Sequence, residues 1–258
     1  MVDIIPEFPA FLLVFVRVTS FFLMMPLFSY RTIPGPHKIG FSFFLAWIMF
    51  YTLDAPELVI DAQYFMLVIK EAMVGLTIGF IAYVVMSVIQ VVGGFIDFQM
   101  GTSIANVIDP QTGAQSPLMG QYLYTLGLLF LLSLNGHHLL IDGVFYSYRF
   151  IPIDQVWLPF GKEEVMTYIL RSINTMFMIA FQMAVPVVGS LFLVDIALGI
   201  IARTVPQMNI FVVGLPIKMI VGFIILIITM GVMMSVISGL FETMLYTMRG
   251  LMQLLGGL

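Results

Sequence analysis

The sequence predicts an all-α, membrane-associated protein whose apolar helices are bent or broken by proline, glycine and charged residues. Of the 258 residues, 61% are hydrophobic and only 9% are charged, whereas soluble domains carry about 25% charged residues. About six apolar segments follow one another along the chain. A surface so poor in charge belongs either in a membrane or inside a larger apolar assembly.

Composition also excludes several functions. The net charge of −4 comes without a basic patch, so we expect no nucleic-acid partner. The chain has no cysteine, which excludes disulfides, thiolate metal sites and a cysteine nucleophile. We expect no cofactor.

The first apolar segment, from about Phe8 to Phe28, carries Arg17 near its middle. A charge at that depth in lipid would cost roughly 2.5–3.5 kcal/mol. We therefore expect Arg17 to snorkel or to pair inside the helix bundle. The alternative is that this helix packs against protein partners and does not lie in lipid.

The next two segments differ in length. Pro26, Pro34 and Pro36 forbid a continuous helix before the second segment. That segment, Ile39–Leu53, is shorter than the ~20 residues that a helix needs to cross a bilayer. The third, Ala72–Ile96, is long enough, and we expect its helix to end at Gly93-Gly94.

Two sets of small residues recur at every fourth position, a spacing that places them on one helix face. Such stripes let another backbone approach closely. The sequence therefore predicts close helix packing at two stripes, one in the third segment and one in the last: Gly75 and Gly79, and Gly231, Ser235 and Gly239.

The apolar pattern stops in the central stretch from Gly93 to Pro117, which reads GGFIDFQMGTSIANVIDPQTGAQSP. Glycine tolerates positive φ and proline ends helices, so Asp109 to Gly113 should be a loop. Lipid cannot satisfy the backbone groups of a loop. The loop must therefore lie in water, against protein or in a water-filled passage.

The carboxyl-terminal half contains further predicted breaks. The fifth segment, Ser172–Val194, should continue as a helix that stops before Pro206. Gly214 and Pro216 predict a second break before the last segment. Polar residues within apolar surroundings are expected to make structural or inter-subunit contacts: Arg17, Asp97, Asp195, Arg203 and Gln207.

Three long stretches resemble the FliR family of flagellar biosynthesis proteins, which belong to the type III export apparatus, and its injectisome counterparts. They are the central stretch from Gly93, NGHHLLIDGVFYSY from Asn135 and LGIIARTVPQMNIFVVGLPIK from Leu198. The resemblance covers nearly the full length. It implies one export-gate domain, residues 1–258, with a polar central loop at 97–117.

The resemblance implies a protein of the bacterial inner membrane, in the flagellar basal body. Such proteins assemble with FliP-like and FliQ-like subunits, and with an FlhB-like subunit nearby, into a closed gate that passes unfolded flagellar proteins. Their helices form bent hairpins held largely above the membrane plane. The loop at 106–117 acts as a plug, which assigns gating roles to Asn106, Asp109, Pro110, Gln111, Gly113, Gln115, Ser116 and Pro117.

Two other classes of protein remain as alternatives. A small-solute or ion transporter with broken transmembrane helices would need polar residues converging within its spans and an internal repeat. An intramembrane enzyme could use His137, His138 and Asp142, since His138 and Asp142 share a helix face. It lacks a third metal ligand and a nucleophile motif, so hydrogen-bonded interfacial histidines are the simpler interpretation.

Overall fold

The computed structural model describes residues 4–28, 33–53, 56, 58–103, 117–207 and 209–257, and every long regular element within them is a helix. The all-α prediction is confirmed. The helices are α1 (Ile4–Met24), α2 (Gly35–Phe50), α3 (Ala62–Met100), α4 (Leu118–Ser133), α5 (Gly136–Phe150), α6 (Glu163–Thr204) and α7 (Ile210–Gly256).

The helices differ greatly in their ability to cross a membrane. Within the described residues, three are long and apolar enough, namely α3, α6 and α7. The broken pair α4–α5 would add a fourth if it formed one span. With only 16 residues, α2 falls short of the ~20 required. The six apolar segments of the sequence are therefore an approximate count.

Several predicted breaks are confirmed at prolines. The first helix ends at Met24, before Pro26, and Pro34 immediately precedes α2. Helix α6 ends at Thr204, before Pro206. At Pro26 and Pro206 the proline ring lacks an N–H donor and would clash with the preceding helical turn, whereas Pro34 occupies the N-cap position at the start of α2.

Two other predicted breaks are wrong. Helix α3 runs through Gly93-Gly94 to Met100, and α7 runs through Pro216. A proline inside a helix removes one backbone hydrogen bond, whereas leaving the helix in apolar surroundings would strand several N–H and C=O groups. Continuing the helix therefore costs less free energy than ending it at these positions.

The chain divides into two units, of which unit 1 comprises Met1–Val85, Leu132–Ile173 and Phe241–Leu258. In unit 1, α1 packs on α2 through rings that meet edge-on. The Phe11 ring centroid lies 5.5 Å from those of Phe43 and Trp47 and 5.9 Å from that of Phe50. Aromatic pairs at such distances add to the stabilisation from burial.

The first part of α3 packs tightly on α1 within unit 1. A Cβ atom on Gly75 would lie 2.2 Å from the carbonyl oxygen of Arg17. One on Gly79 would lie 2.7 Å from the carbonyl oxygen of Phe21. No side chain fits at either position, so the two glycines set the distance between the helices.

Unit 2 comprises Met86–Leu131 and Asn174–Leu240. It contains the end of α3, most of α4, the end of α6 and the start of α7. Its buried side chains include several long, flexible methionines that fill the interior: Met86, Met100, Met183 and Met233.

Candidate functional site

The two ends of the central stretch lie in unit 2 and can be described in detail. Pro117 comes directly before α4, and its carbonyl oxygen accepts a hydrogen bond from the Gln121 N–H at 2.9 Å. The other predicted plug residues lie outside the described part of the chain, and their gating roles stay predictions: Asn106, Asp109, Pro110, Gln111, Gly113, Gln115 and Ser116.

The end of α3 is closed by Gly101, which has the positive φ of +82°. Its N–H donates to the carbonyl oxygen of Asp97 at 3.0 Å, the pattern of a left-handed helix cap. Glycine is favoured there because it has no Cβ to clash. The hydroxyl of Thr102 then donates back to the same carbonyl oxygen at 3.1 Å and to the Asp97 side chain.

The Asp97 carboxylate joins this end of α3 to the start of α4. One of its oxygens, Oδ1, accepts from the Thr102 hydroxyl. The other, Oδ2, accepts from the backbone N–H groups of Met119 at 2.8 Å and Gly120 at 3.3 Å. The side chain is 1% exposed. A carboxylate in this position satisfies free N–H groups of the first helical turn and interacts favourably with the helix dipole.

One turn before Asp97, the backbones of α3 and α4 meet without side chains between them. A Cβ atom on Gly93 would lie 2.1 Å from the Cα atom of Gly120, whereas one on Gly94 would meet only Pro117 Cγ, at 3.7 Å. Asp97, Gly93 and Gly120 together define the loop base, the name used below for this junction. The sequence singled out Asp97 but not its partners. Almost every residue carries a backbone N–H group, so residue types do not show which of these groups bind the carboxylate.

A second polar group in unit 2 joins α3, α6 and α7. The Asp195 carboxylate pairs with Lys218, whose Nζ lies 2.9 Å from Oδ1 and 3.0 Å from Oδ2. The side-chain amide of Gln99 donates to Oδ2 at 2.7 Å. The sequence predicted a structural or inter-subunit contact for Asp195 but did not indicate Lys218 as its partner. Arg203 and Gln207 are exposed, so their inter-subunit roles stay predictions.

Unit 1 contains a buried ionic cluster around Arg17. The guanidinium binds Glu71 through two nitrogens, one of them at 2.8 Å, and donates to the Ser147 hydroxyl at 2.9 Å. It also donates to the Ile151 carbonyl oxygen at 3.0 Å and lies 3.8 Å from the ring centroid of Tyr148. The expectation that Arg17 pairs inside the bundle agrees with this geometry.

Lys70 is a further member of this cluster that sequence reasoning did not single out. Its ammonium group pairs with Glu71 and donates to the carbonyl oxygens of Pro152 at 3.0 Å and Ile153 at 2.9 Å. These carbonyls follow the end of α5, where the helix dipole favours a cation. The available signal was the adjacent pair Lys70-Glu71 at the edge of a long apolar segment.

The histidines near the start of α5 lie close to each other. The rings of His137 and His138 have centroids 4.1 Å apart, and His138 and Asp142 are exposed. Within the described ranges, no group of three or more histidine, aspartate or glutamate side chains could hold a metal ion.

The chain resembles known proteins over nearly its whole length. The model of the family described as bacterial export proteins, family 1, matches residues 8–244. The flagellar biosynthetic protein FliR of Bacillus subtilis is 58% identical over 257 residues, covering 99% of each chain.

More distant relatives include the flagellar biosynthetic protein FliR of Escherichia coli, 26% identical over 80% of this chain and 78% of that one. The Yop proteins translocation protein T of Yersinia pestis is 28% identical over 85% of each chain. Together, the family match and the full-length similarity show that the chain belongs to the FliR family of bacterial export proteins.

Proposed function

We propose that this chain is a subunit of the flagellar type III protein export gate in the bacterial inner membrane, at the flagellar basal body. It forms, with FliP-like and FliQ-like subunits and an FlhB-like subunit nearby, a closed channel that passes unfolded flagellar proteins. The central loop at 106–117 is the plug of that channel. Membership in a family of export proteins supports the role in export. The exposed apolar surface of the long helices supports assembly with other subunits.

The long helices expose more apolar surface than water tolerates. Helix α6 has 42 residues and α7 has 47, about twice the ~20 that cross a bilayer. In the most apolar 18-residue window of each, only 22% of the residues are buried, compared with 56% in α3. Much of the surface of these two helices therefore needs a cover that the described part of the chain does not supply.

Sister subunits supply this cover better than lipid alone. A lipid bilayer covers a layer about 30 Å thick, which corresponds to roughly 20 helical residues. Helices of twice that length leave apolar turns outside the layer, unless protein surrounds them. Phe211 and Val212 in α7, which are 80% and 67% exposed, lie before Lys218 and therefore beyond the uncharged run of 23 residues that a bilayer could cover.

The loop base suits a plug that changes position without unfolding the helices beside it. Gly101 closes α3, Asp97 caps α4, and both interactions use backbone groups of the helix ends. The sequence between these ends contains one glycine, Gly113, and several small polar residues, a composition typical of a loop. Rearrangement of the segment therefore leaves the helix ends intact.

The direct test removes Asn106–Ser116 and bridges the remaining ends with a short Gly-Ser linker. Such a linker can join them because Thr102 and Met119 contact the same carboxylate. Ion leakage across membranes that contain the assembled complex is then measured. We expect the variant to leak, while the FliP-like and FliQ-like subunits still co-purify with it.

The control replaces Asn106–Ser116 with a Gly-Ser sequence of the same length. Comparing its leakage with that of the deletion variant shows whether tightness depends on the length of the segment or on its side chains. Purification of the native chain without two small hydrophobic companions would contradict the assembly part. An assembled deletion variant whose membranes stay as tight as wild type would contradict the plug.

A further inference from the structure

We propose that Gln182 marks a docking cleft between α6 and α7, and that this cleft receives a helix of another subunit that carries a neutral hydrogen-bonding side chain. The inference rests on the proposed function, because it concerns one contact of the assembled complex. It goes further by assigning that contact to a named side chain of unit 2 and by stating the chemistry of the partner.

Gln182 lies near the middle of a long uncharged stretch of α6. Residues 172–194 contain no acidic or basic side chain, and neither do residues 219–241 of α7. The pair of Asp195 and Lys218 closes both stretches at one end. At a helical rise of 1.5 Å per residue, Gln182 is about 20 Å from Asp195. Water and lipid headgroups at the ends of such a stretch are too far away to reach the Gln182 side chain.

The carboxamide of Gln182 has no hydrogen-bond partner among the residues that the structure describes. The side chain is exposed, and none of those residues donates to it or accepts from it. A carboxamide offers two donors and one acceptor oxygen. Leaving these groups unpaired in apolar surroundings costs free energy. Lipid tails offer no hydrogen bond, so the carboxamide requires a protein group from outside this part of the chain.

Pro186 leaves a second acceptor unpaired at the same place. Proline has no N–H, so the carbonyl oxygen of Gln182 lacks the donor that an α-helix would provide four residues later. The carbonyl oxygen of Pro186, in contrast, accepts from the Ser190 hydroxyl at 2.7 Å. A side chain that both donates and accepts would therefore complement Gln182. Carboxamides and hydroxyls do both, and they form such bonds between helices in membranes.

Beside Gln182, α6 and α7 leave a cleft of about 190 Å³. A cavity of ~150 Å³ can hold a benzene ring, so the cleft has room for a large side chain. Its walls are apolar except for Gln182 and Thr229, whose hydroxyl already donates to the Ile225 carbonyl oxygen at 2.8 Å. Met183 and Met233 lie in the walls and can adapt to the shape of an occupant. In apolar surroundings the occupant must satisfy its own backbone, which favours a helix whose side chains enter the cleft.

The test replaces Gln182 with methionine, which has similar length and helix propensity but lacks the carboxamide. The complex is diluted, and the protein concentration at which the companion subunits dissociate is measured. We expect this concentration to rise about 3- to 15-fold, the range for a hydrogen bond between membrane helices. The isolated chain should keep its thermal midpoint. The control Ser190→Ala removes a hydroxyl that is already bound within α6, and it should change neither value.

A second variant tests the cleft without changing the carboxamide. Val232 lines the cleft and is 66% exposed, so Val232→Trp should fill the space without displacing the interior of unit 2. We expect the companion subunits to dissociate at a higher protein concentration than from wild type. The thermal midpoint of the isolated chain should again stay the same.

Photocrosslinking identifies the occupant. A photoreactive amino acid in place of Gln182 should form adducts with another subunit, close to an asparagine, glutamine, serine or threonine in an apolar helix. Adducts with lipid alone, with a second copy of this chain alone or with another part of the same chain alone would overturn the inference. Complexes of Gln182→Met and Val232→Trp that are as stable as wild type would do so too.

The same experiments separate this inference from the proposed function. If the native chain purifies without companion subunits, the proposed function fails. If the companions co-purify but position 182 forms adducts with none of them, the docking cleft alone is wrong.

Discussion

Arg17 and Glu71 lie 54 positions apart in the sequence and form a doubly hydrogen-bonded ion pair with both side chains fully buried in unit 1. Lys70 shares the same carboxylate. Arg17 and Lys70 thus share the Glu71 carboxylate as their counter-charge. Backbone carbonyl oxygens after α5 accept further hydrogen bonds from both cations. This cluster joins α1, α3 and α5 in one unit.

Replacing Glu71 with glutamine should strongly destabilise the protein. The change leaves Arg17 and Lys70 buried without their counter-charge, and breaking a buried pair in this way costs about 3–5 kcal/mol. We expect a lower midpoint of thermal unfolding in detergent and less protein in the membrane. Glu242→Gln, an exposed glutamate in α7, is the matched control and should behave like wild type. Equal midpoints for both variants would contradict the role of the cluster.

Alanine at Gly75 and at Gly231 should have different effects, although both glycines belong to stripes with the same spacing. At Gly75 a Cβ atom would lie 2.2 Å from the Arg17 carbonyl oxygen, whereas at Gly231 it would meet nothing within 4 Å. Overpacking of this kind typically costs about 1–3 kcal/mol. We expect Gly75→Ala to lower the thermal midpoint of the isolated chain and Gly231→Ala to leave it unchanged.

The same glycine variants also test where the second stripe packs. If Gly231, Ser235 and Gly239 pack against a partner helix, Gly231→Ala should reduce co-purification of the other subunits while the isolated chain keeps its stability. Normal assembly of Gly231→Ala would show that no helix approaches this stripe closely.

Exchanging the charges of Asp195 and Lys218 should preserve the protein better than changing either one. The pair is partly exposed, at 39% for Asp195 and 17% for Lys218, so each single change should cost about 1 kcal/mol or less. The double variant Asp195→Lys with Lys218→Asp should recover most of the loss in thermal midpoint and in assembly. If Asp195 instead serves a neighbouring subunit, the exchange will restore stability but not assembly.

Photocrosslinking should identify what covers α7. A photoreactive amino acid in place of Ile228, which is 74% exposed, should form adducts with other protein subunits. The same amino acid in place of Ile237, which is fully buried within the chain, should form adducts only within it. Mass spectrometry of the products distinguishes protein from lipid. Adducts of position 228 with lipid alone would contradict coverage by sister subunits.

The sequence by itself determined the helical class, the association with a membrane and the family. Long apolar segments leave the backbone no partner except itself, which makes helices obligatory. It also located the breaks at Pro26, Pro34 and Pro206, because proline lacks the backbone N–H donor that continues a helix. These features depend on local chemistry, which residue order records directly.

The tertiary structure decided what each residue contacts. Gly75 and Gly231 have the same spacing pattern, but among the described residues a neighbouring backbone lies close to Gly75 and not to Gly231. Glu71, Lys218 and the N–H groups of α4 became partners of Arg17, Asp195 and Asp97 across separations of 22 to 54 positions. Helices α3 and α7 continued through Gly93-Gly94 and Pro216 because, in apolar surroundings, backbone hydrogen bonds within a helix outweigh local propensity. Long-range contacts and the fate of buried backbone groups depend on how helices pack, and a local pattern does not contain that information.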